Sequence, residues 1–434
     1  MPLAGLATVG EVQPLSDGTL LYSIETYLRP PYFSRYDETT ARAVDSKLAE
    51  ISPVSFADTE VLREFAASKD ATSIPLNIIR RKGTKLTGTD AWMGGQPVDH
   101  APRNVLKRLI AMSAEQGREM MTGVECEFFL ISADGAEISD AADRQGKPCY
   151  DQQALMRRYD VIAEICDAMQ ALGWQPYQND HEDANGQFEM NWRYDTALTT
   201  ADRHSFFKYM VRSIAEKHGL RATFMPKPFL ELTGNGCHAH VSLWQNGRNL
   251  FDDPSGELGV SALGYQFLGG LLHSAEALAA LFNPTVNSYK RINAPPTLSG
   301  ASWAPGSVTW SGNNRTHMIR IPEPGRFELR LADGAANPYL LQAGILAAGL
   351  DGIDNKRDPG QRLDINMYTH GHTVASARML PLNLLDALRR LEGSDVLAKR
   401  LGGLVPSYLK LKREEWNAYA RHLSPWERET TLDV

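Results

Sequence analysis

The sequence predicts an α+β protein with two domains of unequal size. At 434 residues the chain is longer than a single hydrophobic core usually supports. Hydrophobic residues make up 43% of it and charged residues 22%, as in ordinary globular proteins. From residue 102 onward, stretches with helical spacing of apolar residues alternate with short strand-like stretches. We therefore expect a small N-terminal domain over residues 1–100 and a large domain over residues 101–434.

The large domain has a regular succession of predicted elements. Pro102 at a first-turn position and the apolar spacing after it predict a helix over 102–117. Further helices are predicted over 151–174, 199–218, 261–281 and 337–353 and beyond residue 380. Strands are predicted over 121–131, 175–180, 186–192, 221–225, 236–245, 316–321 and 326–331. Residues 283–314, rich in Asn, Pro, Gly and Ser, predict a functional loop.

The first hundred residues give weaker patterns. Short strands are predicted near residues 20–28 and 74–79, with a helix over 39–51 between them. The charged stretch that follows has little apolar periodicity.

Charge and cysteine content exclude several classes of protein. The net charge of −7 provides no basic excess for nucleic acid or for a membrane surface. The four cysteines are scattered without a CxxC pair, which suits a reducing compartment better than a disulfide framework. No apolar run approaches the ~20 residues of a membrane helix. We expect a cytoplasmic protein.

Residues 227–242, KPFLELTGNGCHAHVS, contain the most informative pattern. The small residues at 234–236 indicate a bend, and the alternation after them indicates a strand. On a strand, His238, His240 and Ser242 share one face. A half-exposed edge strand would explain this pattern alone, but other polar stretches accompany it.

Paired carboxylates occur in two of these stretches. Glu125 and Glu127 flank Cys126 in a strand-like stretch, and Glu182 and Glu189 bracket an Ala-Asn-Gly turn. A solvated strand face would explain either pair alone. Together with His238 and Glu328 they indicate a site for Mg²⁺ or Mn²⁺, which prefer oxygen ligands and, for Mn²⁺, accept imidazole.

Arginines are concentrated between residues 315 and 330. Arg315, Arg320, Arg326 and Arg330 lie on two segments joined by a predicted turn at 322–325. Antiparallel pairing would bring these like charges together, which requires an anion or carboxylates between them. Guanidinium groups match the geometry of phosphate, and no Walker-type glycine loop is present in the sequence. A surface ladder of ion pairs would explain any one arginine but not the set.

These stretches resemble the active-site segments of the glutamine synthetase family. Residues 227–242 resemble its ATP-region signature, and GVECEFFL, HEDANGQFEMN, NSYKRINAPP and NNRTHMIRIPEPGRFELRLAD resemble its other segments in the same chain order. The resemblance implies a β-grasp-like N-terminal domain and a catalytic domain with a curved, mainly antiparallel sheet flanked by helices, as in glutamine synthetases and guanido kinases. It is clear only from about Thr89 onward. It also implies a homo-oligomer, a dodecamer of two stacked hexameric rings.

The resemblance assigns roles residue by residue. It places Glu127, Glu182 and Glu189 around one Mg²⁺ or Mn²⁺ ion and Glu125, His238 and Glu328 around a second. Arg315 would act on the γ-phosphate of ATP during its transfer. His240, Ser242, Arg320 and Arg326 would bind ATP or phosphate. Gly234, Arg291 and Arg330 would bind L-glutamate.

The stretch Ile292–Trp303, INAPPTLSGASW, differs from the pattern of many glutamine synthetases, which carry a glutamate there that takes a proton from ammonium. It is most similar to the third-class glutamine synthetases and the γ-glutamylmethylamide synthetases. We expect an ATP-dependent ligase of glutamate and a small amine, namely methylamine, with ammonia as the alternative. A non-catalytic relative and a metal-dependent hydrolase are further alternatives from other classes.

Overall fold

In a computed structural model of the chain, the described residues are 7–26, 28–49, 59–67, 73–81, 91–93, 96–297, 299 and 301–434. The chain separates into two compact units, Met1–Gly88 and Thr89–Val434. Strands dominate the described part of the first unit, and the second combines sheets with helices. The predicted α+β class is confirmed. Within the described residues no helix is both long and apolar enough to cross a membrane.

The first unit contains antiparallel strands. Its strands are β1 (Ala7–Pro14), β2 (Leu20–Thr26), β3 (Tyr32–Asp37), β4 (Arg42–Ala49), β5 (Thr59–Ala67) and β6 (Ser73–Arg81). Strands β1 to β4 form one sheet in chain order, and β5 pairs with β6. Tyr22, Ile24 and Tyr32 form a small buried core on the first sheet.

The helix predicted over 39–51 is wrong. Its described part contains the strand β4, which pairs with β3 through Ser34 and Asp45 and is exposed along most of its length. Residues 50 and 51 lie outside the described residues. Cross-strand pairing outweighs the local helix preference here, as is common for strand positions.

The second unit begins with short strands and a helix and ends in helices. Its strands are β7 (Trp92–Met93), β8 (Gln96–Pro97), β9 (Glu119–Cys126), β10 (Phe128–Ser132), β11 (Pro176–His181), β12 (Gln187–Trp192), β13 (Asp195–Thr196), β14 (Leu220–Thr223), β15 (Cys237–Gln245), β16 (Arg248–Asn249), β17 (Trp310–Ser311), β18 (Ile319–Glu323) and β19 (Arg326–Leu329). Its helices are α1 (Pro102–Ala114), α2 (Gln152–Met156), α3 (Tyr159–Ala171), α4 (Ala197–Lys217), α5 (Ala262–Phe282), α6 (Ser288–Ile292), α7 (Pro338–Asp354), α8 (Met367–His370), α9 (Leu384–Glu392), α10 (Asp395–Leu401), α11 (Leu404–Ala420) and α12 (Pro425–Thr431).

Two sheets of this unit carry the polar side chains of interest. One has the strand order β13-β9-β15-β19-β18-β17, with β16 paired to β15, and the other has the order β11-β12-β10-β14. The pairs are antiparallel except for the parallel pair β17 and β18. The strand predicted over 121–131 is in fact two, because the chain leaves the first sheet at Cys126 and joins the second at Phe128. Glu127 lies at that break, where its N–H donates to the carbonyl of Gly236.

Helices α5 and α7 form part of the buried layer behind the sheets. Most of their side chains are fully buried, which the continuous apolar runs of both stretches predict. A Cβ atom built on Gly270 of α5 would lie 2.0 Å from the carbonyl oxygen of Ala348 in α7, so the two backbones touch at this glycine.

Two other predictions need correction. The helix predicted over 151–174 is divided into α2 and α3 by a turn at Arg157 and Arg158. The loop predicted over 283–314 contains the short helix α6 and the strand β17.

Candidate active site

Most of the predicted site residues line one cavity of about 1060 Å³ in the second unit. Side chains of β9, β11, β12, β15 and β19 form its walls. The predicted residues that line it are Glu125, Glu127, Glu182, Glu189, His238, His240, Ser242, Arg315, Arg320, Arg326 and Arg330. Gly234, Arg291 and Glu328 are buried beside residues of this lining.

One group of possible metal ligands comes from three adjacent strands. Glu125 of β9, His238 of β15 and Glu328 of β19 offer ligand atoms that lie within 4.8 Å of one another. Glu125 and His238 are register partners, and Glu125 Oε2 lies 3.0 Å from His238 Nδ1. Glu125 Oε1 lies 2.7 Å from His240 Nε2. The sequence predicted this group as a unit, and the structure brings it together.

The protonation states of this group suit a cation. Burial acts to raise the pKa of Glu125, but its hydrogen bonds with His238 and His240 hold the pKa well below the usual range. Burial and the charge of Arg330 lower the pKa of His238 to about 4, so its imidazole is neutral at pH 7. Burial opposes ionisation of Glu328, yet the charge of Arg330 lowers its pKa to about 2.

His238 Nε2 is a buried polar atom without a hydrogen-bond partner among the described residues. Nδ1 of His238 faces Glu125 at 3.0 Å and Glu328 at 3.6 Å, so an ion held by these three residues would bind Nδ1 in place of the hydrogen bond to Glu125, with the ring proton on Nε2. Mn²⁺ accepts a neutral imidazole nitrogen together with carboxylates as ligands, and Mg²⁺ binds the carboxylate oxygens. The residues present therefore fit a divalent ion.

A second acidic group lies on the β11–β12 hairpin. Asp180, Glu182 and Glu189 offer carboxylate oxygens within 4.8 Å of one another. Burial raises the pKa of all three, and neighbouring carboxylates raise those of Glu182 and Glu189 well above the usual value. Acids held so close without a compensating charge fit a cation site.

Asp180 is a member of this group that sequence reasoning missed. It is the direct register partner of Glu189. The predicted hairpin contained the signal, since Asp180 lies on β11 and Glu182 comes directly after that strand, two residues away, so that both approach the same face.

Glu127 was expected with Glu182 and Glu189 but lies outside their group. Its Oε2 accepts hydrogen bonds from the Gly236 N–H at 2.7 Å and from Gln187 Nε2 at 3.0 Å. Burial raises its pKa to about 7, although Arg291 and the Gly236 bond act in the opposite direction. It still lines the same cavity, where its charge acts on both carboxylates.

The predicted arginine pairing occurs on β18 and β19. Arg320 and Glu328 are register partners, and Arg320 Nη1 donates to Glu328 Oε2 at 2.7 Å. Arg330 donates to the other oxygen of Glu328. The carboxylate thus separates two guanidinium groups, as the like charges require. Arg326 contacts His240 and donates to Glu323.

Arg291 and Arg330 each offer a donor without a partner among the residues that the structure describes. Both side chains are about 2% exposed, and the Nε atom of each lacks a hydrogen-bond partner among the described residues. Gly234 lies against Arg291, because a Cβ built on Gly234 would be 3.1 Å from Arg291 Cγ. Buried guanidinium donors of this kind suit a carboxylate.

Ser242 and Arg315 complete the predicted set. Ser242 Oγ accepts a hydrogen bond from Trp244 Nε1 at 2.9 Å on the cavity wall. The charge of Arg315 acts on Asp180 and on Tyr150, so it lies on the side of the hairpin acids.

The stretch Ile292–Trp303, which has no acidic residue of its own, contacts the carboxylate of Asp183 in the turn between β11 and β12. Asp183 Oδ2 accepts hydrogen bonds from the hydroxyl of Thr233 and, at 2.5 Å, from that of Ser299. Asp183 and Trp303 also line the cavity. Sequence reasoning missed Asp183, since nothing in a linear pattern places residue 183 beside residue 299.

Comparisons with known proteins show what the chain is similar to. Residues 99–431 match the family described as glutamine synthetase, catalytic domain. A protein named glutamine synthetase from Rhizobium leguminosarum bv. phaseoli is 63% identical over 371 residues, 85% of each chain. A glutamate–methylamine ligase from Methyloversatilis universalis is 41% identical over 377 residues, again 85% of each chain. A solved structure described as a GmaS/ADP complex is 57% identical, with a TM-score of 0.79 over 89% of this chain and 87% of that one.

Proposed function

Because the chain belongs to the glutamine synthetase family, we propose that it joins the γ-carboxylate of L-glutamate to a small amine at the expense of ATP, and that the amine is methylamine. The observation that carries the proposal is one cavity that combines two groups of possible metal ligands with phosphate-binding and carboxylate-binding arginines. A carboxylate is a poor acyl donor at neutral pH. The ligase therefore activates it as γ-glutamyl phosphate before the amine attacks.

The reaction balances in two steps. In the first, a γ-carboxylate oxygen of glutamate attacks the terminal phosphorus of ATP, and the bond to ADP breaks. In the second, the nitrogen of the neutral amine attacks the acyl carbon, the bond from that carbon to the phosphate oxygen breaks, and the leaving phosphate takes up the proton that the nitrogen loses. The products are ADP, phosphate and a γ-glutamyl amide.

The acidic residues and His238 would hold Mg²⁺ or Mn²⁺. One ion would have Glu125, His238 and Glu328 as ligands, and another would have Glu182 and Glu189 with Glu127 or Asp180. When bound, these ions supply positive charge that neutralises the phosphates during transfer.

The cationic residues would bind the two anionic substrates. Arg315 would stabilise the transferring phosphoryl group, and Arg320 and Arg326 would bind the nucleotide phosphates, because guanidinium groups match phosphate geometry. Arg291 and Arg330 would bind the α-carboxylate of glutamate through their unpartnered nitrogen atoms. The remaining members are His240 and Ser242, on the nucleotide side, and Gly234, whose backbone would contact the amino-acid end.

The proposal of methylamine has support from two directions. The stretch Ile292–Trp303 contains no acidic residue that would favour ammonium. The GmaS relative is a γ-glutamylmethylamide synthetase and the Methyloversatilis relative is a glutamate–methylamine ligase. The Rhizobium relative carries the name glutamine synthetase, so ammonia is the second candidate. One methyl group in an apolar pocket contributes only ~1–3 kcal/mol of discrimination.

The proposal also covers the assembly, the domain boundary and the location of the protein. We expect a dodecamer of two stacked hexameric rings, in which head-to-tail contacts between identical chains close a ring. We also propose a functional domain boundary near residue 100, beyond the division of the two compact units at Gly88, and a location in the cytoplasm. Light scattering that showed an active monomer would contradict the assembly.

A product assay tests the chemistry. Purified protein with Mg²⁺, ATP and L-glutamate is given ammonia and methylamine at equal free-base concentrations. The amides formed are quantified by mass spectrometry. The proposal predicts ADP release that requires glutamate and amine, and γ-glutamylmethylamide as the main amide. Amide formation with glutamine as the main product would favour the ammonia-dependent function. Phosphate release from a phosphate ester without ATP would favour a hydrolase.

A further inference from the structure

A separate group of ligand atoms lies behind the strands that carry the site. Cys126 of β9 and Cys237 of β15 are register partners, one position along from the pair Glu125 and His238. Because successive side chains on a strand point to opposite faces, the cysteines lie on the face away from the cavity. There His204 of α4 approaches them, and the three ligand atoms lie within 4.8 Å of one another.

We propose that Cys126, Cys237 and His204 form a binding site for a thiophilic divalent cation, with Zn²⁺ as the representative ion. Two thiolates and a neutral imidazole are ligands that Zn²⁺ prefers. Two thiolates also cancel the charge of a divalent ion, so that the buried site carries no net charge. This site is distinct from the oxygen-rich cavity, whose carboxylates suit Mg²⁺ or Mn²⁺.

The spacing of the ligand atoms supports this assignment. With bond lengths of about 2.3 Å for Zn–S and 2.0 Å for Zn–N, tetrahedral coordination places a sulfur and a nitrogen about 3.5 Å apart. Cys237 Sγ lies 3.9 Å from His204 Nε2. A shift of a few tenths of an ångström would therefore bring this pair to the coordination distance.

The state of His204 is the second observation. The residue is 1% exposed, its Nδ1 has no hydrogen-bond partner among the described residues, and its Nε2 lies 3.9 Å from Cys237 Sγ, a long distance for a hydrogen bond. Buried imidazoles normally make strong hydrogen bonds, and an exception requires a reason such as an ion. Since Nε2 points toward the thiols and makes only this long contact with Cys237 Sγ, a metal ion there would bind Nε2, and the proton of the ring would lie on Nδ1.

The position of the site links it to the cavity. Cys126 lies between Glu125 and Glu127 in sequence, and Cys237 precedes His238. An ion that joins the two cysteines would fix the spacing of β9 and β15 at the position where they carry cavity side chains. A bound ion should therefore raise the melting temperature of the whole protein.

Cadmium is a suitable probe, since its thiolate complexes absorb in the ultraviolet. The whole protein, saturated with Mg²⁺ to occupy the oxygen ligands, is titrated with Cd²⁺ up to a few equivalents per chain. The proposal predicts a charge-transfer band that saturates at one equivalent. In Cys126→Ala and Cys237→Ala the band should fall at least about twofold, and His204→Gln should weaken Cd²⁺ binding at least about tenfold. Added Zn²⁺ should remove the band by competition.

Cys166→Ala is the matched control, because Cys166 lies outside the cluster and its thiol donates to Asn179. This variant should keep the full band. If the cysteine variants fail to fold, as judged by circular dichroism, His204→Gln and the melting temperature of the unmutated protein with Zn²⁺ decide the question. Absence of a band in the unmutated protein, an equal band in Cys126→Ala, or unchanged affinity in folded His204→Gln would overturn the proposal.

Discussion

Asp180 and Glu189 face each other as register partners across the β11–β12 hairpin, inside the cavity that also holds Glu182. Two carboxylates in this position repel one another unless a cation lies between them. The arrangement therefore depends on the hairpin for its geometry and on a bound ion for its stability.

Loss of one hairpin carboxylate should weaken the metal site. Asp180→Asn keeps the size of the side chain but removes its charge, so Mn²⁺ affinity should fall at least about tenfold. Glu189→Ala and Glu127→Ala should abolish turnover. Mn²⁺ binding is measured by electron paramagnetic resonance, with Asp134→Asn as a control, since Asp134 pairs with Ser132 on an exposed turn. Wild-type affinity and turnover in all three variants would contradict the assignment of this site.

Gly236 should tolerate no side chain. A Cβ at this position would lie 2.7 Å from His238 Nε2 and 3.0 Å from Glu127 Oε1, in the space next to the unpartnered nitrogen. Gly236→Ala should therefore reduce metal affinity and kcat together while the protein stays folded. Gly146→Ala, with nothing within 4 Å of its added Cβ, is the matched control. Unchanged kcat in Gly236→Ala would show that the position of the His238 ring plays no part in the reaction.

Asp143 should stabilise the turn that carries the hairpin carboxylates. It accepts hydrogen bonds from His181 Nε2 at 2.7 Å, Asn185 Nδ2 at 2.8 Å and the Gly186 N–H at 2.7 Å. Asp143→Asn should cost about 1–3 kcal/mol of unfolding free energy at pH 7 and also lower kcat. Urea unfolding followed by circular dichroism measures the first effect.

The effect of Asp143→Asn should depend on pH with a defined sign. Burial acts to raise the pKa of Asp143, but these hydrogen bonds hold it below the usual value. The stabilisation is then present above the unfolded-state pKa of about 4 and is lost as pH falls through the lower folded-state pKa. The difference between the two proteins should shrink below about pH 4. A difference that stays constant across this range would contradict the role of the ionised carboxylate.

A charge placed near Ser299 should change the choice of amine. Ala301→Glu would add a carboxylate that holds ammonium, so kcat/KM for ammonia should rise relative to methylamine. Ala301→Gln adds the same bulk without charge and should leave the ratio within about twofold of the original. Equal shifts in both variants would indicate a steric effect instead.

Sequence periodicity predicted the elements that bury an apolar face and missed those that depend on backbone pairing with another segment. Helices α1, α4, α5 and α7 follow from apolar spacing and end signals. Strand β4 was predicted as a helix because its own residues are mostly exposed and carry no buried face, so that only its pairing with the neighbouring strand β3 shows that it is a strand. The break at Glu127 was missed for a similar reason, since the bond to Gly236 that accompanies it joins residues far apart in sequence.

Some residues of the candidate site were predicted from the sequence, and others were not. Glu125, His238 and Glu328 were predicted together and lie together, because the motifs that carry them belong to adjacent strands. Asp180 and Asp183 were missed, since their importance comes from register and from a loop contact. Asp183 also places a carboxylate next to the stretch that lacks one in sequence.

The most direct test of the proposed function is kcat/KM for ammonia and for methylamine, measured at equal free-base concentrations over a range of pH. We predict a higher value for methylamine at every pH, and a rise with pH at fixed total amine as the neutral base accumulates. A higher value for ammonia at equal free-base concentration would contradict the methylamine assignment and identify the enzyme as a glutamine synthetase.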